Sequence, residues 1–159
     1  MTPARLKLVE SIRTAAADLD SETAVLRAAA ELIDGYSEGY HWTGFYLLRD
    51  GVLEVGPYVG PPTPHTRIAL HQGICGAAAS QKKSIVVDDV HADPRFLACS
   101  LTTRSEIVVP LLEGGECLGE IDIDSNHPAF FTAEDREMLE AAAAVVAARL
   151  AEIRGRRPA

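Results

Sequence analysis

The chain has 159 residues, 47% hydrophobic and 24% charged, which supplies material for one buried core and excludes a largely disordered chain. Fifteen Lys and Arg stand against 23 Asp and Glu, a formal net charge of −8, so no nucleic-acid partner is expected, because phosphate binding relies on clustered basic side chains. No apolar run approaches the roughly 20 residues of a membrane span, and charges are spread through the first ten residues where a secretory signal would be apolar. A cytoplasmic location without membrane contact is expected, with the three cysteines present as thiols.

Leu6, Val9, Ile12 and Ala16 recur at helical spacing. Asp20-Ser21 then offers an N-cap for a second helix carrying Val25, Leu26, Ala29, Leu32 and Ile33 on one face, with Gly35 as its stop. His41–Leu48 and Val52–Tyr58 read as strands joined by a turn at Arg49-Asp50-Gly51. Gly60-Pro-Pro-Thr-Pro is a loop, because consecutive prolines remove ladder donors. Arg67–Leu70 is a short strand, Gly73-Ile-Cys-Gly leads into a helix through Gln81, and Ile85–Val87 is a strand. After a polar connection over Asp88–Arg104, Glu106–Leu112 and Glu116–Asp124 form a second hairpin across Glu113-Gly114-Gly115. Thr132-Ala-Glu-Asp opens the last helix with a capping-box variant. Its stripe of Met138, Leu139, Ala142, Val145, Val146, Leu150 and Ile153 runs toward Gly155. Helices around an antiparallel sheet make an α+β domain. One domain over 1–159 is expected: an N-terminal helix in 1–19, a core over 20–153 and a flexible tail over 154–159. Amphipathic terminal helices permit a homodimer.

Side chains alternate along a strand, so Glu120, Asp122 and Asp124 share one face. Either that face is solvated or lies near a cation, or it is a pocket wall in which mutual repulsion raises one carboxyl pKa and makes a general acid. Glu106, at the start of the preceding strand, is placed to join them. Cys75 sits where a helix begins, a position that lowers thiol pKa, whereas Cys99 lies in the polar connection. Cys117 falls on the Gly119/Ile121/Ile123 face and reads as a small buried hydrophobe. There is no CxxC, and His41, His65, His71, His91 and His127 show no metal-ligand spacing with the cysteines, so neither a metal nor a cofactor is expected. Trp42 and Tyr46 share a strand face, as core residues or as walls of a small-molecule pocket.

Taken together, Trp42-Thr-Gly-Phe-Tyr-Leu-Leu, Gly56-Pro-Tyr, Gly73-Ile-Cys-Gly, Asp89-Val-His91, Leu97-Ala-Cys99, Ser105-Glu-Ile-Val-Val-Pro-Leu111, Gly119-Glu-Ile-Asp-Ile-Asp-Ser125 and Phe130-Phe-Thr-Ala-Glu-Asp135 resemble the free methionine-(R)-sulfoxide reductases, which are stand-alone GAF domains. The resemblance runs from about Asp20 onward. It implies a six-stranded antiparallel sheet with the terminal helices on one face and a ligand pocket on the other. It implies that Cys99 is the attacking thiol, that Glu106, Asp122 and Asp124 hold the substrate and supply the proton, and that Trp42 and Tyr46 enclose it. The implied chemistry passes through a cysteine sulfenic acid and a disulfide, reset by thioredoxin or a similar thiol reductant.

One departure bears on that last step. The family pattern has a cysteine just before the Arg-Ile of the short strand, and His65 stands there in this chain. Cys75, which matches the second family cysteine, is then the candidate to resolve Cys99, with an external thiol as the alternative; Cys117 has no counterpart in the pattern. Ser100 stands where an acid is common. Two other readings remain: a GAF module that senses a small ligand or redox state without turnover, and a relative that binds methionine sulfoxide but cannot recycle.

Overall fold

A computed structural model describes residues 1–98 and 100–156. The expected attacking thiol, Cys99, lies outside the described residues. Helix α1 (Pro3–Ala17) starts under a Thr2 N-cap with proline in its first turn, where the missing N–H costs nothing. Helix α2 (Glu22–Asp34) starts at Ser21, whose Oγ accepts the Ala24 N–H at 3.0 Å, and stops at Gly35. Strands β1 (Trp42–Arg49) and β2 (Val52–Val59) follow. They join through Asp50 and Gly51 at φ 52° and 77°, the left-handed pair that a tight hairpin turn requires. Strand β3 (Arg67–Ala69), helix α3 (Gly73–Gln81), strand β4 (Ile85–Val87) and a short 3-10 turn at Val90–Ala92 lead to β5 (Ser105–Glu113), β6 (Glu116–Ser125) and helix α4 (Ala133–Gly155).

The six strands form one antiparallel sheet in the order β3-β2-β1-β6-β5-β4. Phe45, Ile107, Val109, Ile121 and Ile123 point from one face into a core closed by α2 and α4. Each such side chain contributes roughly 1.5–3 kcal/mol on burial. The terminal helices gather on one side of the sheet as expected: α4 covers it together with α2, and α1 packs on α2 and α4. Arg149 ties it there, donating from Nε to the Ala16 carbonyl at 2.9 Å and from Nη2 to that of Leu19 at 2.8 Å. These carbonyls lie at and just beyond the end of α1, where helical partners run out; that of Ala16 also accepts the Leu19 N–H at 3.2 Å. Arg5 Nη1 and the Tyr40 hydroxyl both donate to Asp135 Oδ1, at 3.0 and 2.8 Å. Asp135 also completes the capping box with Thr132. Arg154, placed in the expected tail, lies inside α4 and pairs with the buried Glu22 at 2.9 Å, whereas residues 157–159 of that tail lie outside the described residues. Among the described residues no helix is long and apolar enough to cross a membrane.

The opposite face of the sheet carries a second, smaller core of Trp42, Tyr46, Leu53, Ile68, Ile74, Ala78 and Val108, with α3 laid across it. This is the face toward which β6 turns its acids.

Candidate functional site

Period-two alternation on β6 sends Ile121 and Ile123 into the helical core and therefore Glu120, Asp122 and Asp124 to the other side. There they are covered, at 0%, 6% and 3% exposure, which rules out a solvated strand face. Strand register brings in the rest: Glu106 lies directly opposite Asp124, Trp42 opposite Asp124 on the other side, Gly44 opposite Asp122 and Tyr46 opposite Glu120. Gly44 is required by its neighbours, since a Cβ there would sit 2.5 Å from the Tyr58 Cβ and 2.6 Å from the Trp42 ring. Its absence lets Trp42 stack on Tyr58 at 5.0 Å between ring centroids and on Tyr46 at 6.3 Å.

Trp42, Tyr46, Cys75, Glu106, Asp122 and Asp124 line one cavity, closed on the outside by Thr63, His65 and Leu97. Six of the seven residues expected at the site are thus brought together. The enclosed space is about 20 Å³, room for about one water. Its wall is tied down by hydrogen bonds: Trp42 Nε1 donates to the Pro61 carbonyl at 3.0 Å and the Tyr46 hydroxyl to the His65 carbonyl at 2.8 Å. The His65 ring, which replaces the expected third family thiol, meets the Ala98 carbonyl through Nε2 at 3.1 Å. His65 therefore joins the β2–β3 loop to the connection that carries Cys99, a link that only the fold makes visible. Gly73, at φ 71°, seats the same connection, because a Cβ there would press on Leu97 at 2.8 Å.

Among the described residues that line this cavity, His65 is the only basic side chain. Burial first, then the charges of Asp122 and Asp124, push the Glu106 pKa well above the ordinary carboxyl range. Burial and Asp122 do the same to Glu120. Asp122 is raised by burial, an effect partly offset by hydrogen bonds from Glu106 and Cys75. The cluster thus holds protons where isolated carboxyls would be ionised, the condition for a carboxyl to act as an acid near neutrality.

Two cysteine expectations are corrected. Cys75 does lie in the first turn of α3, but burial, followed by the charges of Asp122, Glu120 and Glu106, raises its thiol pKa. The half-charge of a helix N-terminus is outweighed by the acids it faces. Cys117 does not sit on the Ile121/Ile123 face. The β5–β6 register slips between Leu111 and Leu112, so that Leu111 pairs with Gly119 and Leu112 with Cys117. The resulting bulge at Leu118 turns Cys117 to the α3 side, half-buried. A one-residue slip reverses every facing beyond it.

Glu120, read in the sequence as part of the acidic face but not as a site residue, does not line the cavity and is fully buried beside the Cys75 thiol. A buried acid of this kind costs stability as it ionises. Its folded pKa is raised above the unfolded value of about 4.5, so full stability is present below that value and is lost as pH rises through the folded pKa. Glu120→Leu is therefore expected to raise stability at pH 8 by about 1–3 kcal/mol and to flatten its decline between pH 5 and pH 8. Urea melts at both values measure this, and a variant less stable than the parent at pH 8 would contradict it.

The GAF domain family matches residues 10–150. The chain belongs to the GAF family. This GAF domain is similar to the free methionine-R-sulfoxide reductase of Escherichia coli K12, with 38% identity over 99 residues, 62% of this chain and 59% of that protein. Its match to the Saccharomyces cerevisiae protein of the same name is 38% identical over 110 residues, 67% of this chain and 61% of the relative. The aligned stretch thus spans about three fifths of those relatives' own length. Among solved structures, that of free methionine-R-sulfoxide reductase from Neisseria meningitidis in complex with its substrate superposes with a TM-score of 0.90. It is 34% identical, over 98% of this GAF domain and 94% of that chain. The six-stranded sheet and the placement of a pocket opposite α2 and α4 accord with the resemblance drawn from the sequence.

Proposed function

We propose that this GAF domain is a cytoplasmic enzyme that reduces free L-methionine-(R)-sulfoxide to methionine at the expense of thiols. The observation that carries the reading is the buried set of Glu106, Asp122 and Asp124 facing Trp42 and Tyr46 in a closed pocket. The substrate-bound Neisseria structure, alike over nearly its whole length, supports it.

In this reading the carboxylates accept the substrate ammonium, which relieves their repulsion, and one of them retains a proton. Trp42 and Tyr46 enclose the side chain. A sulfoxide oxygen leaves sulfur poorly until it is protonated, and a carboxylic acid beside it supplies that proton. The Cys99 thiolate takes up the oxygen, so that thiol and sulfoxide become sulfenic acid and methionine. A second thiol, Cys75, condenses with the sulfenic acid to give a disulfide and water. A thioredoxin-type dithiol then reduces the disulfide by exchange, and no other cofactor enters. The substrate is much larger than one water, so the outer wall of Thr63, His65 and Leu97 must part to admit it. A peptide-bound residue would leave polar groups of the enclosed site unpaired, which favours the free amino acid.

The deciding assay is reduction of the separate R and S epimers of free methionine sulfoxide, once with thioredoxin and its reductase and once with dithiothreitol. R-specific methionine formation in both arms is expected. Absence of turnover in both, with the thiols verified as reduced, would transfer the site to a sensing module.

A further inference from the structure

The acids and thiol of the cavity make a second kind of site. The Cys75 sulfur and one oxygen each of Glu106 and Asp122 lie within 4.8 Å of one another, all three residues being buried. Ligand atoms around a tetrahedral Zn²⁺, bound at about 2.0–2.3 Å, stand roughly 3.3–3.8 Å apart, so closing this triad on an ion asks for movements of about 1 Å. An independent observation points the same way. Asp122 Oδ1, on a cavity-lining side chain only 6% exposed, is buried without a hydrogen-bond partner, and buried polar atoms are ordinarily paired. The cavity bordered by the triad has room for about one water, the occupant of the open position in a three-ligand zinc site.

We infer that the reduced chain binds one divalent cation of the Zn²⁺ type between the Cys75 thiolate, Glu106 and Asp122, with its fourth position open to the cavity. The sequence shows no ligand spacing for this because the three residues come from α3, β5 and β6. Sulfur selects a borderline-soft ion, whereas Mg²⁺ and Ca²⁺ require more oxygen ligands than the site provides. The ion displaces the thiol proton, inverting the local preference for the neutral thiol. Glu120 lies outside the ligand set. In the reading above, condensation of the Cys75 thiol with the Cys99 sulfenic acid forms the disulfide, expels water and removes the sulfur ligand, so metal is held by the reduced chain and released from the oxidised one. Competition between the metal and a sulfoxide substrate rests on the reading above; metal binding itself does not.

The test uses the metal-free, fully reduced chain titrated with Co²⁺, whose thiolate charge-transfer absorption reports sulfur ligation, followed by displacement with Zn²⁺. One equivalent with a tetrahedral, thiolate-bearing spectrum is expected, unaffected by millimolar Mg²⁺ and retained in Cys117→Ser. Cys75→Ser should abolish the charge-transfer band, with circular dichroism verifying its fold. Glu106→Gln, which removes an oxygen ligand, should weaken binding by more than the about 10-fold typical of losing a residue behind a ligand. A reduced parent chain without the band, a band that survives Cys75→Ser, or unchanged affinity in Glu106→Gln would each overturn the site. A chain that binds Co²⁺ in this way but fails the epimer assay would support the metal site and refute the reductase reading.

Discussion

Cys99→Ser is expected to reduce methionine formation from the R-sulfoxide to the uncatalysed rate with either reductant. A serine hydroxyl is not ionised near neutrality and cannot take up oxygen as a sulfenic acid, so no later step can begin. The surroundings of Cys75 explain why it would not substitute. Burial and three neighbouring carboxylates hold its thiol protonated, and the thiol form is a poor nucleophile. Cys75→Ser should therefore behave differently, forming about one methionine per chain in a single turnover and then stalling when thioredoxin is the only reductant. Rapid quench with methionine quantification separates the two variants. Multiple turnovers by Cys99→Ser would remove it as the attacking residue, and sustained thioredoxin-dependent turnover by Cys75→Ser would remove Cys75 as the resolving one.

Asp122→Asn is expected to lower kcat/KM for the R-sulfoxide by about 10²–10³, within the range for loss of a general acid. The amide keeps the volume of the carboxyl but neither carries an acidic proton nor pairs with an ammonium. The two losses are separable: missing proton delivery lowers kcat, whereas missing ammonium recognition raises KM. In the parent, activity should fall as alkaline pH strips the last proton from the coupled carboxyls, a property of the group rather than of one residue. In Asp122→Asn that alkaline limb should move. Stability should not fall, because one of the mutually repelling charges is gone. A variant within threefold of the parent kcat/KM would place both tasks elsewhere in the cluster.

Where the resemblance could be checked, it carried the architecture well, and the residues show why. The Asp50-Gly51 and Gly114-Gly115 turns, the Ser21 and Thr132 caps and the alternation of β6 are local features, each determined within a few residues of chain. From these and the ordered motifs followed the sheet, the helices and the gathering of Trp42, Tyr46, Cys75, Glu106, Asp122 and Asp124. The expectations that needed correction were long-range. The Leu118 bulge is a mismatch between two strands, and it alone decided which way Cys117 faces. The state of the Cys75 thiol depended first on its burial and then on acids some 30–50 residues away across the sheet, not on the helix it begins. The contact between His65 and the Ala98 carbonyl joins two loops with no shared local signal.

The amino-acid sequence by itself determined which side chains point to the same face of each strand, where helices begin and end, and which residues carry the family pattern, because those properties depend on backbone periodicity and nearest neighbours. Only the tertiary structure decided that the acidic face of β6 is buried. An alternating strand looks the same whether its polar side meets water or a covering helix. It is α3, laid across that face, together with the loops carrying Thr63, His65 and Leu97, that removes the solvent and thereby raises the pKa values of Cys75, Glu106 and Glu120 in this GAF domain.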